Sequence, residues 1–322
     1  MAKTNKQTKI TITGAGGFIG SHLARYFKKK SYWVRGVDIK YPEFSDLSDF
    51  DEFKLLDLRD FRNTMEAVSG VDEVYALAAN MGGMGFITFH KADVMRDNVL
   101  INVNTAEACY REGVDRVFYS SSACVYPTFM QEETEIKGLK ESDAYPAFPD
   151  NEYGWEKLYS ERVYKAYEKD LGLTVRIARF HNIYGPEGTY EGGREKAPAA
   201  ISRKVAKAKP IDTIKVWGDG KQGRSFCYID DCVIGIDTLM HSDYNEPVNI
   251  GSDRLISIND LVDMIAKIDG KQITKIHDLT KPQGVRGRNS DNTLCKKVLG
   301  WETKISLEEG IKKTYQWIKK QL

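Results

Sequence analysis

A strand that runs into a cluster of glycines and then directly into a helix leaves a chain few folds to choose from. Residues 9–13 (KITIT) read as a strand, Gly14-Ala15-Gly16-Gly17-Phe18-Ile19-Gly20 follows at once, and His22-Leu23-Ala24-Arg25-Tyr26-Phe27 continues as a helix. Gly14 permits the tight turn, Gly17 lets backbone N–H groups approach an anion at the helix N-terminus, and Gly20 lets helix and strand pack closely. Further strands are predicted at 33–38, 54–58, 74–77, 116–122 and 174–180, with helices at 61–68, about 92–111 and 152–169 between them. Strands and helices alternating at these lengths imply right-handed crossovers and a parallel sheet. After Pro186 the texture changes, because Gly188, Gly192, Gly193, Pro198 and Pro210 break the chain into shorter elements. Capping boxes at Ser257-Ile258-Asn259-Asp260 and Ser306-Leu307-Glu308-Glu309 announce two late helices, 261–268 and 309–320. The expected fold class is therefore α/β: a Rossmann-type doubly wound parallel sheet over residues 1–185, then a smaller C-terminal α/β domain over 186–322. Some later segments are free to return to the first domain.

Charge and cysteine usage narrow the function classes. Lys and Arg number 47 against 46 Asp and Glu, a net of +1, so no polyanion-binding surface and no nucleic-acid partner is expected. The apolar stretches are only strand-length, which predicts no membrane span. The N-terminal MAKTNKQTK is basic and polar and lacks the apolar core of a secretory signal. The 5 cysteines (Cys109, Cys124, Cys227, Cys232, Cys295) are odd in number and form no C-x-x-C, which argues against a disulfide framework or a zinc site. No metal is expected, and the compartment is read as reducing and cytoplasmic. Four of these thiols are expected to be small buried hydrophobes, and Cys124 is treated separately below.

Two features point to redox chemistry. Asp38 ends the second strand 18 residues past Gly20, where a carboxylate can bind a ribose diol and repel a 2′-phosphate, favouring NAD over NADP. Tyr153 and Lys157 lie one helical turn apart on one face. A free phenol ionises near pH ~10, too high for a base at neutrality, and a neighbouring ammonium together with a nicotinamide cation would lower it. A Y-x-x-x-K match alone is common on surfaces, but the strand Tyr119-Ser120-Ser121-Ser122-Ala123-Cys124 ends just before this helix, at the sheet edge where such folds bind ligands. Alternation is expected to point Ser120, Ser122 and Cys124 to one side. Ser122 is the candidate hydroxyl that hydrogen-bonds the reacting oxygen.

Taken together, the glycine turn, Asp38, Ser122 and the Tyr153/Lys157 pair resemble the extended short-chain dehydrogenase/reductase family acting on nucleotide sugars. Asp57-Leu58, Ala76-Leu77-Ala78-Ala79 and Asn182-Ile183-Tyr184-Gly185-Pro186 are similar to that family's adenine, cofactor-loop and substrate motifs, and the likeness covers essentially the whole chain. It implies NAD bound by Gly14, Gly17, Phe18, Ile19, Gly20, Asp38, Asp57, Leu58, Ala78, Tyr153 and Lys157. It also implies a nucleoside diphosphate held by the C-terminal domain, and oxidation of the sugar at C4.

The fate of a 4-keto sugar depends on the other acid/base groups, since the ketone acidifies both C3 and C5. A dehydratase would place acidic residues after the catalytic hydroxyl, but those positions are Ala123 and Cys124. A thiol near pKa ~8.5, lowered by a cationic neighbour, suits a base that must also return a proton. Inversion needs a second group on the opposite face, and Lys196 in Gly192-Gly193-Arg194-Glu195-Lys196-Ala197-Pro198 is the candidate. Judged locally, Lys196 is a solvated loop charge and Cys124 a buried hydrophobe. The stretches YSSSACVYP, AANMGGMGF, GGREKAPAA and GVRGRNSDN resemble the members that invert C5 and C3 of a GDP-hexose. That likeness implies GDP-mannose as substrate, GDP-L-galactose and (from C5 alone) GDP-L-gulose as products, and Ser122, Cys124, Tyr153, Lys157 and Lys196 as the catalytic set. Substrate contacts are implied for Gly82, Ser122, Asn182, Glu195, Lys196, Lys204, Gln222 and Arg288, with Arg286 an open alternative to Arg288 at the diphosphate. An epimerase-reductase acting on GDP-4-keto-6-deoxymannose is the rival enzyme reading, and a non-catalytic cofactor sensor the rival of another class. Family members commonly pair through the helices near 92–111 and 152–169, so a homodimer is expected.

Overall fold

The computed structural model describes residues 7–322, so most of the N-terminal stretch read above for a secretory signal (residues 1–6) lies outside the described residues. Six parallel strands open the chain: β1 (Lys9–Thr13), β2 (Trp33–Asp38), β3 (Glu52–Leu55), β4 (Glu73–Ala76), β5 (Arg116–Ser122) and β6 (Val175–Phe180). The helices between them are α1 (Phe18–Lys29), α2 (Phe61–Val68), α3 (Met84–Phe89), α4 (Lys91–Glu112) and α5 (Glu152–Leu171). Short strand β7 (Ile183–Tyr184) leads to the later elements. These are α6 (Ala197–Lys207), β8 (Ile211–Trp217), β9 (Gly223–Ser225), β10 (Cys227–Tyr228), α7 (Ile229–Met240), β11 (Val248–Ile250), β12 (Leu255–Ser257), α8 (Ile258–Ile268), β13 (Gln272–Asp278), β14 (Gly287–Arg288), α9 (Thr293–Leu299) and α10 (Leu307–Gln321).

The main sheet has the order β11-β6-β5-β4-β1-β2-β3 and is parallel throughout. The doubly wound α/β expectation is met, and the strand order reverses between β1 and β4, where such sheets bind ligands. Ile10 and Ile12 of β1 join Leu23, Ala24 and Phe27 of α1 in one core, which continues into α7 through Cys232, Val233 and Ile236. The opposite face packs Val74, Val117 and Tyr119 against Val68 of α2, Cys109 of α4 and Tyr164 of α5. A strand buried on both faces must satisfy its polar side chains internally. Thr11 does so by donating to the Ala67 carbonyl of α2 at 2.8 Å.

From the later part of the chain, β11 pairs with β6 in register Val248↔Ala178, and α7 packs on the sheet. The remainder forms a lobe in which α6, α8 and α10 pack together, β8 pairs with β13, and β9 lies between β12 and β14. The predicted caps are present, Ser257 Oγ accepting from Asp260 N–H at 3.0 Å and Ser306 Oγ from Glu309 N–H at 3.2 Å. Element ends differ by a few residues from the sequence reading. The strand expected at 54–58 runs Glu52–Leu55, because β3 pairs with β2 only through Leu55. Both late helices start at their caps, two to three residues earlier than the apolar pattern alone indicates. Among the described residues no helix is long and apolar enough to cross a membrane, and no group of His, Cys, Asp and Glu forms a metal site.

Candidate active site

The glycine turn closes because its glycines allow contacts that a side chain would block. Gly14 has φ +71°, and a Cβ there would lie 2.9 Å from the Ala78 nitrogen. At Gly20 it would lie 2.4 Å from the Gly14 carbonyl oxygen. The turn brings the β4–α3 loop alongside, with Thr13 Oγ1 accepting from the N–H groups of Leu77 at 3.1 Å and Ala78 at 3.2 Å. The N–H of Gly17 is occupied by the Gly14 carbonyl at 3.0 Å, so it cannot itself serve an anion. In the first turn of α1, the N–H groups of Phe18 and Ile19 have no intrahelical acceptor and are the ones open to an anion. The turn opens into a cleft lined also by Ser21, Lys40 and Phe44.

Asp38 at the end of β2 accepts from Gly16 N–H at 3.0 Å and from Lys40 N–H at 3.2 Å. Burial pushes its carboxyl up, against those two bonds. The carboxylate is thus fixed at the lip of the glycine turn, where a ribose diol would fit. Asp57 is placed differently, paired with Arg59 at 2.6 Å and held below the usual carboxylate range by that guanidinium. Leu58 beside it is buried.

Asn151 caps α5 by accepting from Gly154 N–H at 3.0 Å, and Gly154 lies so close to the turn after β5 that a Cβ would come within 2.2 Å of the Cys124 carbonyl oxygen. This contact sets Tyr153 beside Cys124, and the two share an apolar cluster with Ile87 and Val94. Lys157 Nζ donates to the Ser120 carbonyl at 2.9 Å and lies 5.6 Å from the Tyr153 ring centroid. Burial pushes the Tyr153 phenol well up, and a side-chain hydrogen bond with Ser122 pulls the other way. The sequence-based expectation joined the Lys157 ammonium to a nicotinamide cation, and in the protein by itself burial is the largest influence on this phenol. A further positive charge is needed, which is what a nicotinamide cation supplies when bound.

Alternation along β5 does not extend to residue 124. Ala123–Val125 forms a 3-10 turn, with Ser122 Oγ accepting from Cys124 N–H at 3.2 Å, and it is this turn that brings Cys124 to the site. Ser120 Oγ is spent on the Ala76 carbonyl at 3.0 Å. Cys109, Cys227, Cys232 and Cys295 are buried and Cys124 is partly accessible, with all five unpaired. The Cys124 sulfur accepts from Arg288 Nη1 at 3.1 Å.

Lys196 reaches the same place from the other lobe, carried by a loop docked on the β4–α3 connection. Gly83 N–H donates to the Arg194 carbonyl at 3.0 Å, Arg194 Nη1 donates to the Met81 carbonyl at 3.1 Å, and the Arg194 guanidinium lies 3.8 Å above the Phe86 ring. Gly82 stands in this connection, packed against Phe86. Burial lowers the Lys196 ammonium, opposed by the nearby sulfurs of Cys124 and Cys232. Cys124, the α5 pair Tyr153 and Lys157, and Lys196 therefore come together from three separate chain segments.

The arginines are divided by their partners. Arg286 forms a fork on Asp219 at 3.0 and 2.9 Å and lies away from Cys124. Arg288 is buried, with Gln131 accepting from Nε at 2.6 Å and Asp150 at 3.5 Å from Nη2. Arg288 is also the register partner of Arg224 across β14 and β9, a residue the sequence reading missed. Arg224 donates to the Gln283 carbonyl at 3.1 Å and the Val285 carbonyl at 2.7 Å, and burial with the adjacent Arg288 lowers it to about 9. Arg288 is buried and Arg224 half-buried beside it, and Asp150 is a carboxylate acting on both. The signal was the arginine two residues after Gln222, legible only once β9 and β14 are known to pair.

The remaining residues expected at the substrate are more scattered. Asn182 sits at φ 43° with Nδ2 donating to the Ser225 carbonyl at 3.0 Å, and Gln222 donates to the Trp217 carbonyl at 3.0 Å while its Oε1 is buried without a partner. Glu195 is tied to Arg203 at 2.9 Å. The Lys204 ammonium donates to the Lys215 carbonyl at 2.7 Å, so it belongs to the α6–β8 side rather than to the Cys124 group.

A doubly wound parallel sheet with a tyrosine and a lysine one turn apart beside the end of β5 is the arrangement of nicotinamide-dependent enzymes that oxidise alcohols. More narrowly, the NAD dependent epimerase/dehydratase family matches over residues 10–251, and the chain belongs to that family. It is 50% identical over 319 residues to the GDP-mannose 3,5-epimerase of Arabidopsis thaliana, covering 99% of this chain and 84% of that protein. A GDP-L-fucose synthase of Sinorhizobium fredii is 30% identical over 248 residues, covering 76% of this chain and 77% of that protein. Among solved structures, the UDP-glucuronic acid 4-epimerase of Bacillus cereus, in complex with UDP-glucuronic acid and NAD, superposes with a TM-score of 0.83 at 27% identity, covering 98% of this chain and 100% of that one.

Proposed function

We propose that the chain is a GDP-mannose 3,5-epimerase, converting GDP-mannose to GDP-L-galactose and, by inversion at C5 alone, to GDP-L-gulose. The observation that carries this reading is the gathering of a partly accessible thiol, Cys124, with Tyr153, Lys157 and Lys196, in a chain half identical over its length to a protein of that name. The residues present fit NAD: the α1 N-terminus suits its pyrophosphate, Asp38 suits its ribose, and the Ala78 loop closes against the glycine turn. Bound NAD supplies the hydride acceptor for C4 and is regenerated within the turnover.

The protein's part is to move protons. Tyr153 takes the proton of the C4 hydroxyl, with Ser122 orienting that oxygen and Lys157 supplying positive charge behind the phenol. The ketone acidifies C5 and C3, so Cys124 and Lys196, from opposite lobes, remove and return a proton at each carbon from opposite faces. Arg288 Nη1 donates to the Cys124 sulfur at 3.1 Å and so fixes where that sulfur stands. Tyr153 finally returns its proton to O4. Arg224 and Arg288 face the diphosphate, and the segment from residue 186 onward supplies most of the nucleotide-side contacts. A homodimer through α4 and α5 and a reducing, cytoplasmic compartment complete the reading, the latter supported by the unpaired thiols.

Incubation with GDP-mannose in D2O, without added cofactor, followed by proton NMR and mass spectrometry, tests this. Deuterium at C5 and C3 with new galacto and gulo signals is expected. Cys124→Ala should abolish C5 exchange while retained NAD and the fold persist. Conversion that consumes NADPH stoichiometrically would instead favour the epimerase-reductase reading, which the likeness to a GDP-L-fucose synthase keeps open.

A further inference from the structure

Glu156 stands between Tyr153 and Lys157 in sequence, is fully buried, and has no part in the proton traffic just described. Its Oε1 accepts from Asn98 Nδ2 of α4 at 2.9 Å. Asn98 in turn grips the loop after β4, its Oδ1 accepting from Asn80 N–H at 2.6 Å and its Nδ2 donating to the Asn80 carbonyl at 3.2 Å. Two residues earlier, Ala78 is the residue bonded to Thr13 against the glycine turn. A hydrogen-bonded line therefore runs from α5, across α4, to the loop beside the cofactor cleft.

The other carboxylate oxygen, Oε2, has no direct hydrogen bond. Lys157 and Tyr153 face the carboxyl from its own helix, and Tyr119 faces it from β5. From α4 the packed group is the neutral amide of Asn98, while the adjacent buried Asp97 is spent on Arg59 at 3.2 Å, Arg96 at 2.8 Å and Asn80 Nδ2 at 3.1 Å. Ser160 adds a neutral hydroxyl one turn along α5. Lys157 directs its ammonium to the Ser120 carbonyl, so it meets Glu156 through charge and not through a hydrogen bond.

We propose that Glu156 is a positioning residue with two separable parts: its Oε1 fixes the cofactor-side loop through Asn98, and its negative charge keeps Lys157 in the ammonium form. This rests on the reading of Lys157 as the cation behind Tyr153. Burial favours neutral Lys157, and Glu156 is the first of the charges that oppose it. Burial also pushes the Glu156 carboxyl up to about 7, against Lys157 and Asn98, so its proton exchanges near neutrality. Removing the carboxylate should let Lys157 give up its proton at lower pH.

Two variants separate the parts. Glu156→Gln keeps an acceptor for Asn98 and drops the charge, whereas Glu156→Ala drops both. In pH-difference infrared spectra the wild type should show the C=O stretch of a protonated carboxyl appearing as the pH falls through neutrality, and Glu156→Gln should lack it. In the pH profile of GDP-mannose conversion, the alkaline limb of Glu156→Gln should move down by about one unit, a tenfold loss of proton affinity. NAD retained through purification should match wild type in Glu156→Gln and fall in Glu156→Ala. A carboxyl band that persists into the alkaline range, an unmoved alkaline limb, or full NAD retention in a folded Glu156→Ala would each overturn the proposal, whereas no band at any pH means a carboxylate charged throughout and supports it. Should Glu156→Ala not fold, Glu156→Gln still decides it. A wild-type protein that converts no GDP-mannose would overturn the functional reading instead, and the band and NAD content, read without substrate, tell the two apart.

Discussion

Gly154 shows how much of the site depends on one missing side chain. It lies in the first turn of α5, where a glycine is costly by propensity, and its place is explained by a carbonyl oxygen 2.2 Å from where a Cβ would be. That oxygen belongs to Cys124, and the neighbouring residue of the helix is Tyr153. The close approach therefore sets the distance between the proposed C5 base and the proposed C4 base. Gly154→Ala must push α5 away from the 3-10 turn or distort the turn itself, at a cost of about 1–3 kcal/mol for overpacking. The expected outcome is a lowered melting temperature with NAD still bound, together with a loss of turnover larger than the stability change accounts for. Melting curves and initial rates on the same preparation check this, and full turnover in Gly154→Ala would show that the spacing is not critical. Arg224 makes a related point, since a half-buried arginine hydrogen-bonded to backbone carbonyls beside a second guanidinium is costly to keep without an anionic ligand.

Among the elements, α7 carries an electrostatic lock on the edge of the sheet remote from the site. His241, at its C-terminal end, pairs with Asp237 at 2.9 Å and with Glu73 of β4 at 3.1 Å. Asp237, and then Glu73, raise the imidazole to about 10, helped by the helix C-terminus. A group whose folded pKa is raised adds stability that is complete below its unfolded value, near ~6.5, and fades as pH rises toward the folded value. His241→Asn should therefore lower the melting temperature most at pH 6.5, and the gap to wild type should close as the pH approaches 10. A gap independent of pH would mean that packing, and not charge, fixes this end of α7. The same helix marks where the sequence stopped being legible. Up to residue 180 the strands and the longer helices follow the sequence pattern, with short α3 unannounced, whereas α7 follows Tyr228 with no side-chain cap and runs IDDCVIGIDTLM, apolar on most sides. Such a run reads as strand or helix equally well. Its helical form depends on Gly235 admitting Trp301 and Ile250, contacts that no local pattern announces. Likewise Cys124, Tyr153 and Lys157 were legible as a set because two elements adjacent in sequence carry them. The register of Arg224 against Arg288 was not, because it joins segments 64 residues apart.

At the scale of the molecule, the question is what covers the outer faces of α4 and α5. Met95, Val99 and Val103 recur at four-residue spacing on α4, with Leu100 beside them, and Trp155 and Tyr159 do the same on α5. Of these, Met95, Leu100, Trp155 and Tyr159 are exposed, at 38%, 42%, 41% and 50%. The two helices pack against each other, and each carries an exposed apolar stripe of this kind. A two-fold contact between such faces would make a four-helix bundle with this surface as its core. α5 also carries Tyr153 and Lys157, and its inner face holds Glu156 against α4. Pairing would therefore stiffen the helix on which the proposed C4 chemistry depends without adding any residue to it. Light scattering at micromolar concentration should give twice the 36.5 kDa chain mass. Tyr159→Glu, placed on the outer face one turn beyond Trp155, should return a single-chain mass by burying a carboxylate in the contact. Because Tyr159 points away from Cys124 and the glycine turn, the monomer should still hold NAD, and its turnover should fall only as far as α5 loosens. A dimeric Tyr159→Glu protein, or a monomeric wild type, would place the pairing surface elsewhere or remove it, and the exposed stripe would then need another occupant.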